Sequence, residues 1–332
     1  MRNQYLSNFK LFFFISFVII LQSCADKPGV WHNEQISAGK RGDFHKLNEQ
    51  ALKGLKSGSM DTLNFLLSKE LIEDANINRE VELVGNQLKA ADFTLLDEYY
   101  MVRDSTRTDS SINIPSPQKN DYSLTYTGFE GKNYIALFIQ KTGHDKHIIT
   151  LTYYEYDYGW KVNSLDVGTY TVNGKTGPEL YADAKKQYAK NYNINALNIM
   201  QLADYCLHPS ALWKYPQEDE MSKFYSLLVT SANSTYKFPL LLAQVPTHPK
   251  IFRVMNQSND EGTYPIIYYL SSIKLKDTTS LKKENDNIKG VIGKIMPGMD
   301  KDKKYLFFSV YNEMPTADKS VDHFDITDKI DQ

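Results

Sequence analysis

Residues 147–170 read HIITLTYYEYDYGWKVNSLDVGTY. Two runs rich in Ile, Thr, Tyr and Val flank Asp157-Tyr158-Gly159, a polar, glycine-ended segment that can close a hairpin. The stretch therefore predicts antiparallel strands over 147–156 and 160–170. Upstream, β-rich runs bounded by turn residues predict further strands over 94–103, 122–129 and 134–142. Residues 105–120, STRTDSSINIPSPQKN, are polar and carry two prolines, so they are expected to form a long exposed loop.

Further toward the N-terminus the apolar spacing changes to three and four. Phe44, Leu47, Ala51, Leu52 and Leu55 share one face of a helix that Asp43 would cap and Gly58 would end. Ser59 and Asp61 open a second helix, carrying Leu63, Phe65, Leu66, Leu67 and Leu71. Val81, Val84, Leu88 and Ala91 mark a third over 76–91. Three helices followed by antiparallel strands, the last opening GWKVNSLDVG, resemble the nuclear-transport-factor-two-like, or cystatin-like, cone fold. The resemblance covers residues 43–175 and implies a curved sheet wrapped around a long helix, leaving a cup. Another α+β sandwich of the same elements is the alternative.

Beyond this region, residues 176–215 predict a helical hairpin. Leu180, Ala184, Tyr188 and Ala189 form one stripe, Asn191-Tyr192-Asn193 the turn, and Ala196, Leu197, Met200, Leu202, Ala203 and Cys206 the second stripe, which His208-Pro209 stops. The hairpin resembles a single tetratricopeptide-type repeat. One such unit cannot bury its own faces, so it is expected to pack on its neighbours and not to form a peptide-binding solenoid. Residues 216–315 then alternate a helix (218–229), strands (237–245, 250–256, 264–275), an amphipathic helix (279–295) and a strand (304–312), a second and smaller α+β domain. Residues 316–332 are charged and are expected to fray. The fold class expected for the whole chain is α+β.

The N-terminus carries an address. Residues 1–10 hold Arg2 and Lys10 and no acid, and residues 11–21 read LFFFISFVIIL. That run falls short of the roughly twenty residues a membrane-spanning helix needs, and it follows a basic start as in a secretory leader. Leu21-Gln22-Ser23-Cys24 resembles the lipobox of bacterial lipoproteins, with an aliphatic residue three before the cysteine and a small residue just before it. The resemblance implies removal of residues 1–23 and a diacylglycerol on the Cys24 sulfur, leaving residues 24–42 as a tether. Lipid chains contribute about 0.8 kcal/mol per buried methylene, so two or three hold a soluble domain at a membrane. Ala25 stands where an Asp would mark retention in the inner membrane, which points to an outer membrane. The richness in Asn, Lys and Tyr, with 23 tyrosines in 332 residues, resembles proteins of Bacteroidota. Whether the chain faces the periplasm or the cell surface stays open.

Composition narrows the partners. The 38 Lys and Arg against 40 Asp and Glu give a formal net charge of −2, and Arg2 and Lys10 leave with the leader. Such a balance carries no electrostatic footprint for nucleic acid. With Cys24 acylated, Cys206 is the one other cysteine, so no intramolecular disulfide can form and packing must carry the fold.

Candidate chemistry is sparse. His144-Asp145-Lys146-His147 invites a metal reading, but it lies between two strands where a polar turn is expected, Lys146 would repel a cation and no cysteine lies nearby in sequence, so no metal is expected. Asp97-Glu98-Tyr99-Tyr100 is the most acidic strand; alternation sets Asp97 and Tyr99 on one face and Glu98 and Tyr100 on the other, one face solvated and one in the core. In cone-fold enzymes a carboxylate or Tyr inside the cup moves protons, which makes Asp97 and Tyr99 the catalytic candidates. Tyr153, Tyr154 and Trp160 could line a sugar or lipid site, and are equally good strand formers. Cys206 reads as a mid-helix core residue. There is no Gly-x-Ser-x-Gly nucleophile elbow and no glycine-rich phosphate loop, and no cofactor is expected. These signs rank a lipid-anchored envelope module that binds a protein or small ligand without catalysis above a cone-fold hydrolase or isomerase working from Asp97 or Tyr99.

Overall fold

The computed structural model describes residues 27–103, 109–114, 121–127, 131–316 and 318–330; the lipobox and Cys24 lie outside the described residues. The chain begins with strand β1 (Gly29–His32), a 3-10 turn (Asn33–Gln35) and helix α1 (Ala38–Ser57). Short helices α2 (Met60–Leu63) and α3 (Lys69–Ile72) lead to α4 (Ile77–Ala90). Strands β2 (Phe93–Arg103), β3 (Asp109–Ile114), β4 (Tyr122–Thr127), β5 (Gly131–Gln140), β6 (His147–Tyr156) and β7 (Gly159–Thr169) follow. Then come α5 (Gly177–Ala189), α6 (Asn193–Tyr205), β8 (Trp213–Lys214), α7 (Glu218–Thr235), β9 (Leu240–Leu241), β10 (Lys250–Asn259), β11 (Gly262–Leu270), α8 (Thr278–Ile295), β12 (Tyr305–Tyr311) and β13 (His323–Lys329). The fold is α+β, with open curved sheets and, among the described residues, no barrel.

Strands β1-β2-β5-β6-β7 form one antiparallel sheet in that order. Its central strand reads YIALFI over residues 134–139, apolar without alternation, because both of its faces are covered. Tyr134, Ala136 and Phe138 join Phe44, Ala51, Leu55, Val81 and Val84 in a core shared with α1 and α4. Ile135 and Leu137 join Tyr99, Met101, Leu180, Met200 and Trp213 in a second core. That core lies under the α5–α6 hairpin and the small sheet β3-β4-β8. Thr176 and Glu179 form a capping box at the start of α5, with Pro in its first turn, which is why the hairpin begins there. A third core lies between α8 and the sheet β13-β12-β11-β10-β9, built from Ile267, Tyr269, Ile288, Ile292 and Phe308. Its β11 and β12 run parallel and are joined through α8, the crossover that parallel strands need.

Several local expectations are corrected. Residues 29–42 are not a loose tether: β1 pairs with β2, Trp31 stacks on Tyr100 at 5.4 Å, and α1 starts after Ser37, well ahead of Asp43. The second helix divides into α2 and α3, since residues 64–66 turn and Leu67 bridges to Val162. Within the expected 105–120 loop, Asp109–Ile114 pairs along its length with β4. The strand expected over 237–245 contracts to two residues, with Pro239 preceding it and Pro246 following it. Residues 323–329 of the tail expected to fray add β13 to the sheet. Alternation along that strand seats the side chains of Phe324 and Ile326 against the third core.

Candidate functional site

The acid-rich strand β2 sits between two cores, so its alternation sends two carboxylates into different surroundings. A register shift between Leu95 and Asp97 bulges the strand just ahead of them. Both faces are packed, and neither is the solvated one expected from the sequence: Glu98 and Tyr99 are fully buried and Tyr100 is 3% exposed.

Glu98 faces α1. That helix brings Arg41, His45 and Asn48 onto one stripe, at spacings of four and three. Arg41 Nε donates to Glu98 Oε1, and His45 Nε2 lies 3.1 and 3.2 Å from the two carboxylate oxygens. A carboxylate only accepts, so the imidazole donates. Tyr134 donates its hydroxyl to Oε2 at 2.7 Å and accepts from Asn48 Nδ2 at 2.8 Å. The Glu98 hydrogen bond, ahead of every other influence, holds the Arg41 guanidinium above its ordinary range, and burial pushes the Tyr134 phenol far up.

Asp97 faces the other way. Its Oδ1 accepts from His32 Nε2 and Asn33 Nδ2, both at 2.9 Å, and its Oδ2 accepts from the Tyr122 hydroxyl at 2.6 Å. With that proton committed to Asp97, the Tyr99 hydroxyl donates to Tyr122 Oη at 2.9 Å. Burial drives both phenols well above the range in which a tyrosine ionises at neutral pH. Asn33 also ties the two networks together, since its Oδ1 accepts from the Glu98 backbone N–H at 2.9 Å. Thus Asp97 and Tyr99 do meet, through Tyr122, but on the side of the sheet away from α1 and outside any cup beneath that helix.

An open groove lies on the same side of the sheet as Glu98, against α1, though neither Glu98 nor its donors line it. It measures about 510 Å³ and has Phe44, Tyr100 and Trp160 as its floor and Lys40, Asp43, Lys132 and Glu155 around its rim. Phe44 meets Trp160 edge-on at 5.0 Å and stacks on Tyr134 at 4.0 Å, which makes the floor rigid. Lys40 Nζ sits 4.1 Å above the Tyr100 ring, and Lys132 pairs with Glu155 at 2.9 Å. Of the three aromatic residues singled out in the hairpin, only Trp160 reaches this groove. Tyr153 is fully buried in the core, and Tyr154 lies near Tyr156, 6.4 Å away, outside the groove lining.

The remaining candidates are placed as follows. Cys206 is fully buried, at the C-cap of α6 and not within the helix, and burial pushes its thiol up to about 12. His147 faces Gln140 Oε1 at 3.2 Å from Nδ1, and burial lowers its ring below the ordinary histidine range. His144 stands in the turn before β6. Among the described residues no helix is long and apolar enough to cross a membrane.

Sequence reasoning misses Glu98, Arg41, His45, Asn48, His32, Asn33 and Tyr122 as members of a site. The first helix does carry a signal: Arg41, His45 and Asn48 make a polar stripe of helical period beside the apolar one. Placing the helix start at Asp43 cuts that stripe short, and treating residues 24–42 as tether hides His32 and Asn33. Comparison with protein-family models, with curated proteins and with solved structures finds no match.

Proposed function

We propose that this chain is a lipid-anchored binding module of the cell envelope, held by Cys24 and engaging its ligand at the Phe44–Tyr100–Trp160 groove. One observation carries the reading. The two carboxylates that look most like an enzyme's acid and base each already accept from three side chains, supplied by α1, β1, the 3-10 turn and neighbouring tyrosines. A general base must reach the substrate proton; Glu98 is fully buried, and a carboxylate that holds three neighbouring side chains is a clasp between elements. The groove beside it combines a rigid aromatic floor with both signs of charge on its rim, the pattern of an interface anchor pocket. Its best occupant is an aromatic or aliphatic side chain of an envelope protein, with neighbouring charges meeting Lys132 and Glu155.

A second reading keeps the proton-transfer alternative: His32, 35% exposed, stacks on Tyr99 at 4.6 Å and is oriented by Asp97. An imidazole oriented by a carboxylate is a general-base arrangement, but His32 does not line the groove.

The test is a comparison of membrane extracts passed over the lipidated protein and over Trp160→Ala and Lys132→Glu. A partner retained by the native protein and lost from both variants is expected. Equal retention by all three, or turnover that depends on His32, would replace the groove reading.

A further inference from the structure

We propose that the cavity between the α5–α6 hairpin and the β10–β11 hairpin is a binding site for one neutral, polyhydroxylated ring, a monosaccharide unit. The cavity measures about 140 Å³ and is open on one side, so the ring would sit partly inside it. Its lining is rich in carboxamides, Gln187, Asn195, Asn198 and Asn256 among them. Asn198 is 3% exposed, and among the described residues nothing bonds its Nδ2; the same holds for the buried Gln187 Oε1. A buried polar atom left unpaired costs about 1–3 kcal/mol, so an unpaired donor and an unpaired acceptor on two residues of the same lining call for partners that a guest can supply.

The chemistry of the lining selects the guest. Carboxamides offer both donors and acceptors, as a hydroxyl does. The charges of the lining balance, Lys175 and Lys303 against Asp183 and Asp302: Lys175 pairs with Asp183 at 2.5 Å, and Lys303 directs its ammonium to the carbonyls of Gly298 and Lys301 at 2.5 and 2.6 Å. That balance favours a neutral guest over a phosphate or a carboxylate. One wall is apolar, with Tyr264 and Pro265, and Tyr264 is fixed by its hydroxyl on Glu261 O at 3.0 Å and by an edge contact with Tyr305. A flat ring suits the C–H face of a pyranose. Asn256 is held in place as well, donating to Asn198 O at 3.0 Å and to Gln201 Oε1 at 3.2 Å, so the cavity is formed before any ligand arrives.

This site is separate from the groove, and its test is separate too. Equilibrium dialysis of the full lipidated chain in detergent would use radiolabelled glucose, galactose, N-acetylglucosamine and myo-inositol, with glycine and inorganic phosphate as charged comparators. At least one neutral ring is expected to bind at about millimolar affinity or tighter. Asn198→Leu should weaken it by about tenfold or more while Lys282→Ala, on the exposed side of α8, leaves it unchanged. Asn195→Ala is the second variant, should Asn198→Leu fail to fold, and should weaken binding likewise. Binding of phosphate or glycine in preference to the four rings, no binding of any ring up to about 10 mM, or full affinity in the Asn variants would each overturn the assignment. The last two outcomes would leave the cavity as a site for water.

Discussion

Replacing Arg41 by Met tests the clasp on β2. The substitution keeps much of the aliphatic stem and removes the guanidinium, leaving Glu98 with His45 and Tyr134 as its side-chain donors. Glu98 is fully buried, whereas Arg41 is 28% exposed and His45 45%. Breaking a buried ion pair by removing one partner costs about 3–5 kcal/mol, because the other charge stays behind without compensation. Two donors remain here, so the lower end applies, about 3 kcal/mol. For a folding unit of this size that corresponds to a fall in melting temperature on the order of 10 °C. The double variant Arg41→Met/Glu98→Met removes both charges but leaves the buried Tyr134 hydroxyl without its acceptor, so it should cost about 1–3 kcal/mol, well short of the sum of the two single losses. Calorimetric melting of the native chain, the two single variants and the double variant closes the cycle. A near-native melting temperature for Arg41→Met, or losses that simply add in the double variant, would refute the clasp.

Other consequences are more local. Cys206 should resist a thiol reagent in the native protein and react once denatured, since it is fully buried with its thiol pushed up to about 12; fast native labelling would contradict its place in the core. Burial lowers the Lys303 ammonium from its ordinary 10.5 to about 8. Between those values the unfolded chain binds the extra proton, so this group's contribution should make stability rise with pH across the window and should cost most below pH 8. Relative to Lys303→Met, the native chain should gain about 2–3 kcal/mol between about pH 7 and pH 10 in urea unfolding; parallel pH curves would contradict it. At Gly85 an added Cβ would lie 2.7 Å from the Leu55 carbonyl oxygen, where α4 crosses α1. Gly85→Ala should therefore cost about 1–3 kcal/mol, read as a lower melting temperature; an unchanged value would mean the crossing can open freely.

Long periodic segments are the legible part of this chain. Residues 177–189 and 279–295 announce themselves because packing on one side imposes a period, and residues 147–156 through an unbroken run of strand formers that the cores on both faces bury. Less legible are elements whose stability comes from distant partners. β1 is four residues long and exists because β2 offers it an edge, and β13 alternates charge with Phe324 and Ile326 because it is an edge strand itself. Asp97 and Tyr99 are visible as a pair, since alternation alone puts them on one face. Their neighbour Glu98 reads only as core or solvent. Its donors Arg41 and His45 come from a helix 57 and 53 positions away, a distance no local pattern spans. The groove is half visible in Trp160; Phe44 and Tyr100 complete it only once α1 lies on the sheet.

The central claim, a binding groove on a lipid-anchored module, is met most directly by crosslinking in intact cells. A benzophenone side chain in place of Asp43, an exposed residue on the groove rim, would be irradiated alongside the same group in place of Lys282. The account predicts one discrete adduct from position 43, absent from position 282 and lost when Cys24→Ala removes the anchor. No adduct at position 43, or the same adducts from both positions, would contradict it.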